Sequence, residues 1–188
     1  MAAELKLFID YGGVDGTPAA SHDTSADTPN IRFKVADNDD IDTNNQIPIP
    51  PTGVRRSYWK NCYIKRVDVA PSTVVSALKI YYDGSALPTG VTLKIGTAFP
   101  VKNHAANTGY KVATGLANVD GDVAAGAMVD ITTYTSVASL ALTISEASSQ
   151  LDAENETSNY FVLQLEIAPT AAAGTLDTLP ITIKWTEE

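Results

Sequence analysis

Residues 160–167 place the strongest constraint on what this chain can fold into. Phe161, Leu163, Leu165 and Ile167 alternate there with Tyr160, Val162, Gln164 and Glu166. A period of two turns successive side chains to opposite faces of an extended strand, so the first set shares one face. The pattern returns in residues 179–185, where Leu179, Ile181, Ile183 and Trp185 oppose Pro180, Thr182 and Lys184. Pro169 and Gly174 lie between the two runs; proline ends the ladder of one strand and glycine permits a turn into the next. This spacing predicts a long antiparallel hairpin over residues 158–188, with one buried and one wet face. The eight large apolar side chains of its buried face, at roughly 1.5–3 kcal/mol each when fully buried, suffice to anchor a core.

The same alternation recurs along the chain. Leu5, Leu7 and Ile9 align, as do Ile31, Phe33 and Val35, then Leu78, Ile80 and Tyr82, then Val91, Leu93 and Ile95, then Leu140, Leu142 and Ile144. Residues 110–112 and 128–133 read as further strands. Residues 58–69 are strand-like without a single apolar face, since Trp59, Tyr63 and Val67 oppose Tyr58, Cys62 and Ile64; a bulge, or burial on both sides, accounts for that. No window shows a 3.6-residue period bounded by caps. About ten short strands punctuated by glycine and proline predict an all-β fold, an antiparallel two-sheet β-sandwich or jelly roll. Residues 11–29 and 36–52 have loop composition, and such long connections are unusual in a compact domain. Residues 1–56 are therefore predicted to be an extended arm that packs on the domain or on a partner, with 11–56 ordered by that partner, and residues 57–188 to be the sandwich.

Chemistry is sparse. Cys62 is the single cysteine, which leaves no internal disulfide and no thiolate metal site. His22 and His104 are the only histidines. No apolar run approaches the roughly 18 residues of a membrane span, and the N-terminus lacks a basic-then-apolar leader, so we expect a chain made in the cytoplasm with no membrane partner. A net charge of −9 opposes nucleic acid, whose phosphates require clustered Lys and Arg. One basic cluster stands out: Arg55, Arg56, Lys60, Lys65 and Arg66 fall within twelve positions. The plain reading is a solvated strand flank, and the sharper one a patch that docks an acidic neighbouring subunit. With Ile47 and Ile49 of the proline-rich stretch 47–51, Arg55, Arg56 and Lys60 are the predicted partner-binding residues.

Asp37, Asp39, Asp40 and Asp42 supply oxygen ligands of the kind calcium takes. A calcium loop, however, wants an acid at its fifth place, Gly at its sixth and Glu at its twelfth. Here those places hold Ile41, Asp42 and Pro48, so a solvated acidic loop with no metal is expected. Asp120 and Asp122 flank a turn glycine. His104 has loop neighbours, and no nucleophile elbow surrounds any serine. The Asn155 sequon has no secretory context, and no glycine-rich phosphate loop occurs. We expect neither an enzyme nor a cofactor. Tyr58, Trp59, Tyr63, Tyr81, Tyr82 and Tyr110 fit a sugar-binding face, although core packing accounts for most of them as well.

Two passages carry a family resemblance. Residues 78–85, followed by 90–98, resemble a segment that recurs in virion proteins of tailed bacteriophages. Residues 159–169, with Gly174 and the run closing at Trp185, are similar to the C-terminal hairpin of the same β-sandwich proteins. The resemblance implies a structural role with no catalytic residues: a decoration or cement protein of the capsid, assembled in the host cytoplasm and resident on the virion. Its partners would be the major capsid protein or other virion subunits, and it would be a small homo-oligomer, a trimer favoured. The alternative is a carbohydrate- or receptor-binding module of a tail or fibre.

Overall fold

A computed structural model describes residues 2–24, 31–40, 44–69, 72–84, 86–96, 104, 109–115, 128–174 and 179–188. Among the described residues, ten strands follow one another: β1 (Leu5–Tyr11), β2 (Ala20–Asp23), β3 (Arg55–Arg56), β4 (Lys60–Arg66), β5 (Val75–Tyr82), β6 (Val91–Gly96), β7 (Val129–Asp130), β8 (Leu140–Ala141), β9 (Phe161–Ile167) and β10 (Ile181–Glu187). They make two antiparallel sheets, ordered β2-β1-β4-β9-β6-β7 with β3 also on β9, and β10-β5-β8. The fold is the all-β sandwich that the alternation predicts. Among the described residues the only helical piece is the 3₁₀ turn Ile131–Thr133, where the Asp130 carboxylate accepts the Thr132 N–H.

The core lies between the sheets. Ile9, Cys62, Ile64, Leu93, Ile95, Phe161, Leu163, Leu165 and Ile167 come from the larger sheet, and Val75, Leu78 and Ile80 from the smaller. Leu179, Ile181, Ile183 and Trp185 pack against them, half-buried. The expected inward faces of β1, β5, β6, β9 and β10 are thus the observed ones.

The predicted hairpin is not formed. β9 pairs with β4 through Lys60↔Leu163 and with β6 through Leu93↔Leu165, whereas β10 pairs with β5 through Ile183↔Ile80. The two runs sit in opposite sheets and face one another across the core. Their alternation is equally satisfied by a hairpin or by two strands on opposite walls, because either arrangement buries the same face. The expected wet face of β9 is also absent, since Tyr160, Val162 and Gln164 are buried. β4 is likewise buried on both sides, as its mixed pattern predicts.

The covering layer is irregular chain. Trp59 and Val162 pack with Ala113, and Tyr63 and Tyr160 pack with Tyr110, flanked by Phe8 and Val112. Residues 31–35 and 110–112 therefore form no strand, although Ile31 and Phe33 still pack on the core. Of the run that aligns Leu140, Leu142 and Ile144, only Leu140–Ala141 joins a ladder, and Ile144 makes a single bridge to Ser158. In the N-terminal region β1 lies within the larger sheet, paired with β4 from Leu5↔Arg66 to Asp10↔Asn61. What extends over the surface is the shorter stretch 46–54. Asp120 and Asp122 lie outside the described residues.

Candidate functional site

Segment 37–40, the strongest candidate in the sequence, is only partly solvated: Asp39 is buried, Asp37 and Asn38 are half-buried and Asp40 is exposed. It is wrapped around the protein's own donors and cations. Asp37 Oδ2 accepts the backbone N–H of Gly12 at 2.9 Å and of Ala113 at 3.2 Å. The Tyr110 hydroxyl donates to Gly12 O at 2.6 Å and reaches Asp37 Oδ2 at 3.3 Å. Lys60 Nζ donates to Asn38 O at 3.0 Å and Lys34 Nζ to Asp40 O at 2.7 Å. Arg32 Nη1 donates to both Asp39 O and Asp39 Oδ2 at 3.1 Å, and His22 Nδ1 lies 3.3 Å from the same carboxylate oxygen. Burial pushes the Asp37 carboxyl above the usual carboxylate range, against the pull of the Gly12 and Ala113 N–H groups and the Lys60 charge. Burial also lowers the Lys60 ammonium, opposed by Asp37 and Asp39. The cations beside these acids are thus the protein's own: Arg32 in an ion pair with Asp39, and Lys60 of β4 near enough for its charge to act on Asp37 and Asp39. Among the described residues no three His, Cys, Asp or Glu side chains converge to hold a metal ion. Asp42 falls outside the described residues.

A second cluster joins residues far apart in the sequence. His104 Nδ1 lies 3.1 Å from Thr157 Oγ1, and its Nε2 lies 3.5 Å from Asp10 Oδ2. The Tyr160 hydroxyl donates to the same Asp10 oxygen. The Tyr63 ring stacks on the imidazole with centroids 3.6 Å apart, and its hydroxyl lies 2.7 Å from Ser21 Oγ. Burial, more than the Asp10 charge, raises the Tyr160 phenol; burial does the same for Tyr63. The order hydroxyl, imidazole, carboxylate is that of a nucleophilic relay. Here Thr157 and Asp10 are both buried, Tyr63 covers one ring face, and both imidazole nitrogens are engaged. The arrangement ties position 104 to the sheet and presents no reacting hydroxyl to solvent. No local motif marks it, because the partners at positions 10, 104 and 157 meet only through pairing of distant strands.

The five basic residues are dispersed. Arg55 is exposed. Arg56 Nε pairs with Glu166 Oε1 at 2.7 Å. Lys60 is only 1 % exposed, so this predicted partner contact lies inside the protein. Lys65 Nζ sits 5.4 Å over the Phe8 ring. Arg66 is fully buried; it donates to Asp68 at 2.8 and 3.0 Å, to Thr73 O at 2.7 Å and to Leu151 O at 2.6 Å. A strand turns neighbouring residues to opposite faces, and here both faces of β4 are covered, so closeness in sequence does not make a patch. Ile47 packs against the core, whereas Ile49 and Val54 are 39 % and 46 % exposed. Of the predicted contact residues, Ile49 and Arg55 remain on the surface, joined by Val54, which sequence reasoning missed.

Of the aromatic residues suggested for a sugar-binding face, Trp59, Tyr63 and Tyr110 are buried and Tyr58 packs beside Trp59, whereas Tyr81 and Tyr82 are half-buried on β5 in the smaller sheet. No helix among the described residues is long and apolar enough to cross a membrane. Fold and polar clusters together define an all-β two-sheet protein that turns five charged groups, Asp10, Lys34, Asp39, Lys60 and Arg66, to its interior. Comparison with protein-family models, with curated proteins and with solved structures finds no match for the chain.

Proposed function

We propose that this chain is a virion structural protein of the decoration or cement type, which binds the outer surface of a capsid and stabilises it. Its partners are then capsid subunits, reached as a small homo-oligomer, a trimer favoured, on an assembled particle. The observation that carries the reading is the surface stretch 48–55, where Ile49, Val54 and Arg55 are exposed on the sandwich. Exposed apolar groups beside a cation, on a protein of net charge −9, suit attachment to another protein better than solubility alone. The likeness of residues 78–85, 90–98 and 159–169 to phage virion proteins supports the same reading.

The test is to mix purified protein with expanded, undecorated capsids of the parent virus and to measure occupancy and the temperature at which the shell disrupts. Saturable binding at a fixed number of copies per capsid, with a raised disruption temperature, is the expected result. No binding to any capsid form overturns the reading. A carbohydrate-binding role has less support, since Trp59, Tyr63 and Tyr110, three of the six aromatic candidates, are buried; specific signals on a glycan array would reverse that preference.

A further inference from the structure

Lys60 and Lys34 are the buried lysines among the described residues. The alternation of β4 turns Lys60 to the same face as Cys62 and Ile64, opposite Leu163 of β9. Its Nζ donates to the main-chain oxygen of Asn38 at 3.0 Å, and no carboxylate among the described residues stands within ion-pair distance of it. An ammonium taken out of water without a contacting anion favours its neutral form. Burial lowers the Lys60 ammonium; Asp37 and Asp39 oppose that shift without cancelling it, and the Lys34 charge adds to it. A neutral, desolvated lysine amine is a nucleophile.

The adjoining segment holds what such an amine can attack. Asn38 Oδ1 and Asp37 Oδ1 are buried and accept no hydrogen bond among the described residues. Buried polar atoms are nearly always paired, so orphans on consecutive residues call for a use. Asp39 also has one unbonded oxygen, but Arg32 Nη1 holds the other at 3.1 Å, and an ion-paired carboxylate is a poor acyl donor. Asp40 is exposed. Asn38 carries a neutral amide, and its Cγ is joined through Cβ and Cα to the carbonyl that Lys60 Nζ touches. Rotation of that side chain brings Cγ to the amine. Asp37 Oδ2 is filled by the Gly12 and Ala113 N–H groups and the Tyr110 hydroxyl. Burial raises the carboxyl in spite of them, and Oδ1 is the oxygen left to carry a proton.

From this cluster we propose that the folded chain cross-links itself, Lys60 forming an amide with the Asn38 side chain and releasing ammonia, with Asp37 as the proton carrier. The Nζ lone pair attacks Cγ, and the carbonyl electron pair moves to Oδ1. Asp37 protonates that oxygen, takes the proton that the new amide nitrogen sheds, and hands it to Nδ2. The Cγ–Nδ2 bond breaks as the carbonyl re-forms, its hydroxyl proton returns to Asp37, and ammonia leaves. Nothing is oxidised or reduced, and no further reactant enters. Holding amine and amide together in a buried setting supplies the proximity that amide exchange lacks in water. The bond fastens segment 31–40 to β4 and closes a loop of residues 38–60. It thereby restricts the unfolded chain as a disulfide does, in a protein whose single cysteine permits none.

The test is intact-mass spectrometry of the full-length protein, followed by tryptic mapping of the unfolded chain. The parent is expected one ammonia lighter than its sequence, with residues 35–55 joined to residues 57–65 and no cut at Lys60. Lys60→Met and Asn38→Ala are expected at full sequence mass, with complete loss of the joined peptide. In cell-free synthesis followed by mass over time, Asp37→Asn is expected to form the bond at least about 100-fold more slowly than the parent. Circular dichroism checks that each variant is folded; where one is not, the mass and joined peptide of the parent decide. A folded parent at full sequence mass overturns the inference. So does a parent short of ammonia but without the joined peptide, which points to ring closure at an asparagine instead. A joined peptide that survives Asn38→Ala overturns the choice of acyl donor, and an unchanged rate in Asp37→Asn overturns the proton carrier.

Discussion

β9 and β10 carry nearly the same pattern and lead different lives. Phe161, Leu163, Leu165 and Ile167 of β9 face the core exactly as far along their strand as the alternation requires, and so do Ile181, Ile183 and Trp185 of β10. But β9 runs through the middle of the larger sheet, and its other face is roofed by Tyr110, Ala113 and the chain around them. β10 is the rim of the smaller sheet, with its inward residues only half-buried. The difference teaches that the inward face is a local property, whereas depth of burial depends on what the rest of the chain brings to the other side.

The sharpest way to break this comparison is to truncate matched residues. Leu163→Ala, at a fully buried position, is expected to cost about 3–4 kcal/mol in denaturant unfolding, as cavity formation in a packed core does. Ile183→Ala, half-buried, is expected to cost about half that. Equal losses would mean that β10 is as deeply set as β9. A second contrast uses the cations of the two regions. Arg66 is buried at the end of β4 and donates to the carbonyls of Thr73 and Leu151 and to the Asp68 carboxylate; Arg66→Met is expected to lose about 2–3 kcal/mol by removing the charged donor from all three. Lys184 of β10 donates to Ser136 O in an exposed setting, and Lys184→Met should change stability by less than about 0.5 kcal/mol.

Two smaller effects refine the picture. Ala77, opposite the register break of β10, has φ +50° although it is not glycine. Because it is exposed, Ala77→Gly relieves left-handed strain without opening a cavity, and a gain of up to about 1 kcal/mol is expected from melting curves. A loss would show that the strand here tolerates the conformation without strain. The last effect is in the covering layer. Burial raises the Asp37 carboxyl above its ordinary value of 3.8, so the folded state holds that proton more tightly than the unfolded chain. The resulting stability is fully present below the unfolded value and is lost as pH rises through the higher folded value. Plotted from pH near the ordinary value upward, the melting temperature of the parent should fall relative to that of Asp37→Asn; parallel curves would show that the carboxyl is not perturbed.

Much of the fold was legible from residue order. Leu5, Leu7 and Ile9, Leu78 and Ile80, and Leu93 and Ile95 declare their faces by spacing alone, and the doubly apolar run around Trp59, Cys62 and Tyr63 announces burial on both sides. The sites were less legible. The acids at 37–40 are conspicuous as a string, but nothing in the string says that Arg32 and Lys60 lie beside them, or that Tyr110 closes over them. Asp10, His104 and Thr157 carry no spacing signal at all. Arg55 to Arg66 reads as a patch only until the strand is seen to send Lys60 and Arg66 inward.

The sequence by itself determined an all-β chain, the inward face of its main strands, and the proline-stiffened stretch before Arg55, because each follows from the geometry of a few consecutive residues. Only the tertiary structure decided that β9 and β10 belong to opposite sheets, that irregular chain roofs the larger one, and that Lys34, Lys60 and Arg66 serve the interior. Strand pairing is made by backbone hydrogen bonds that any side chain permits. The choice among partners therefore rests on how all the apolar faces and buried charges are satisfied together, which no single stretch contains.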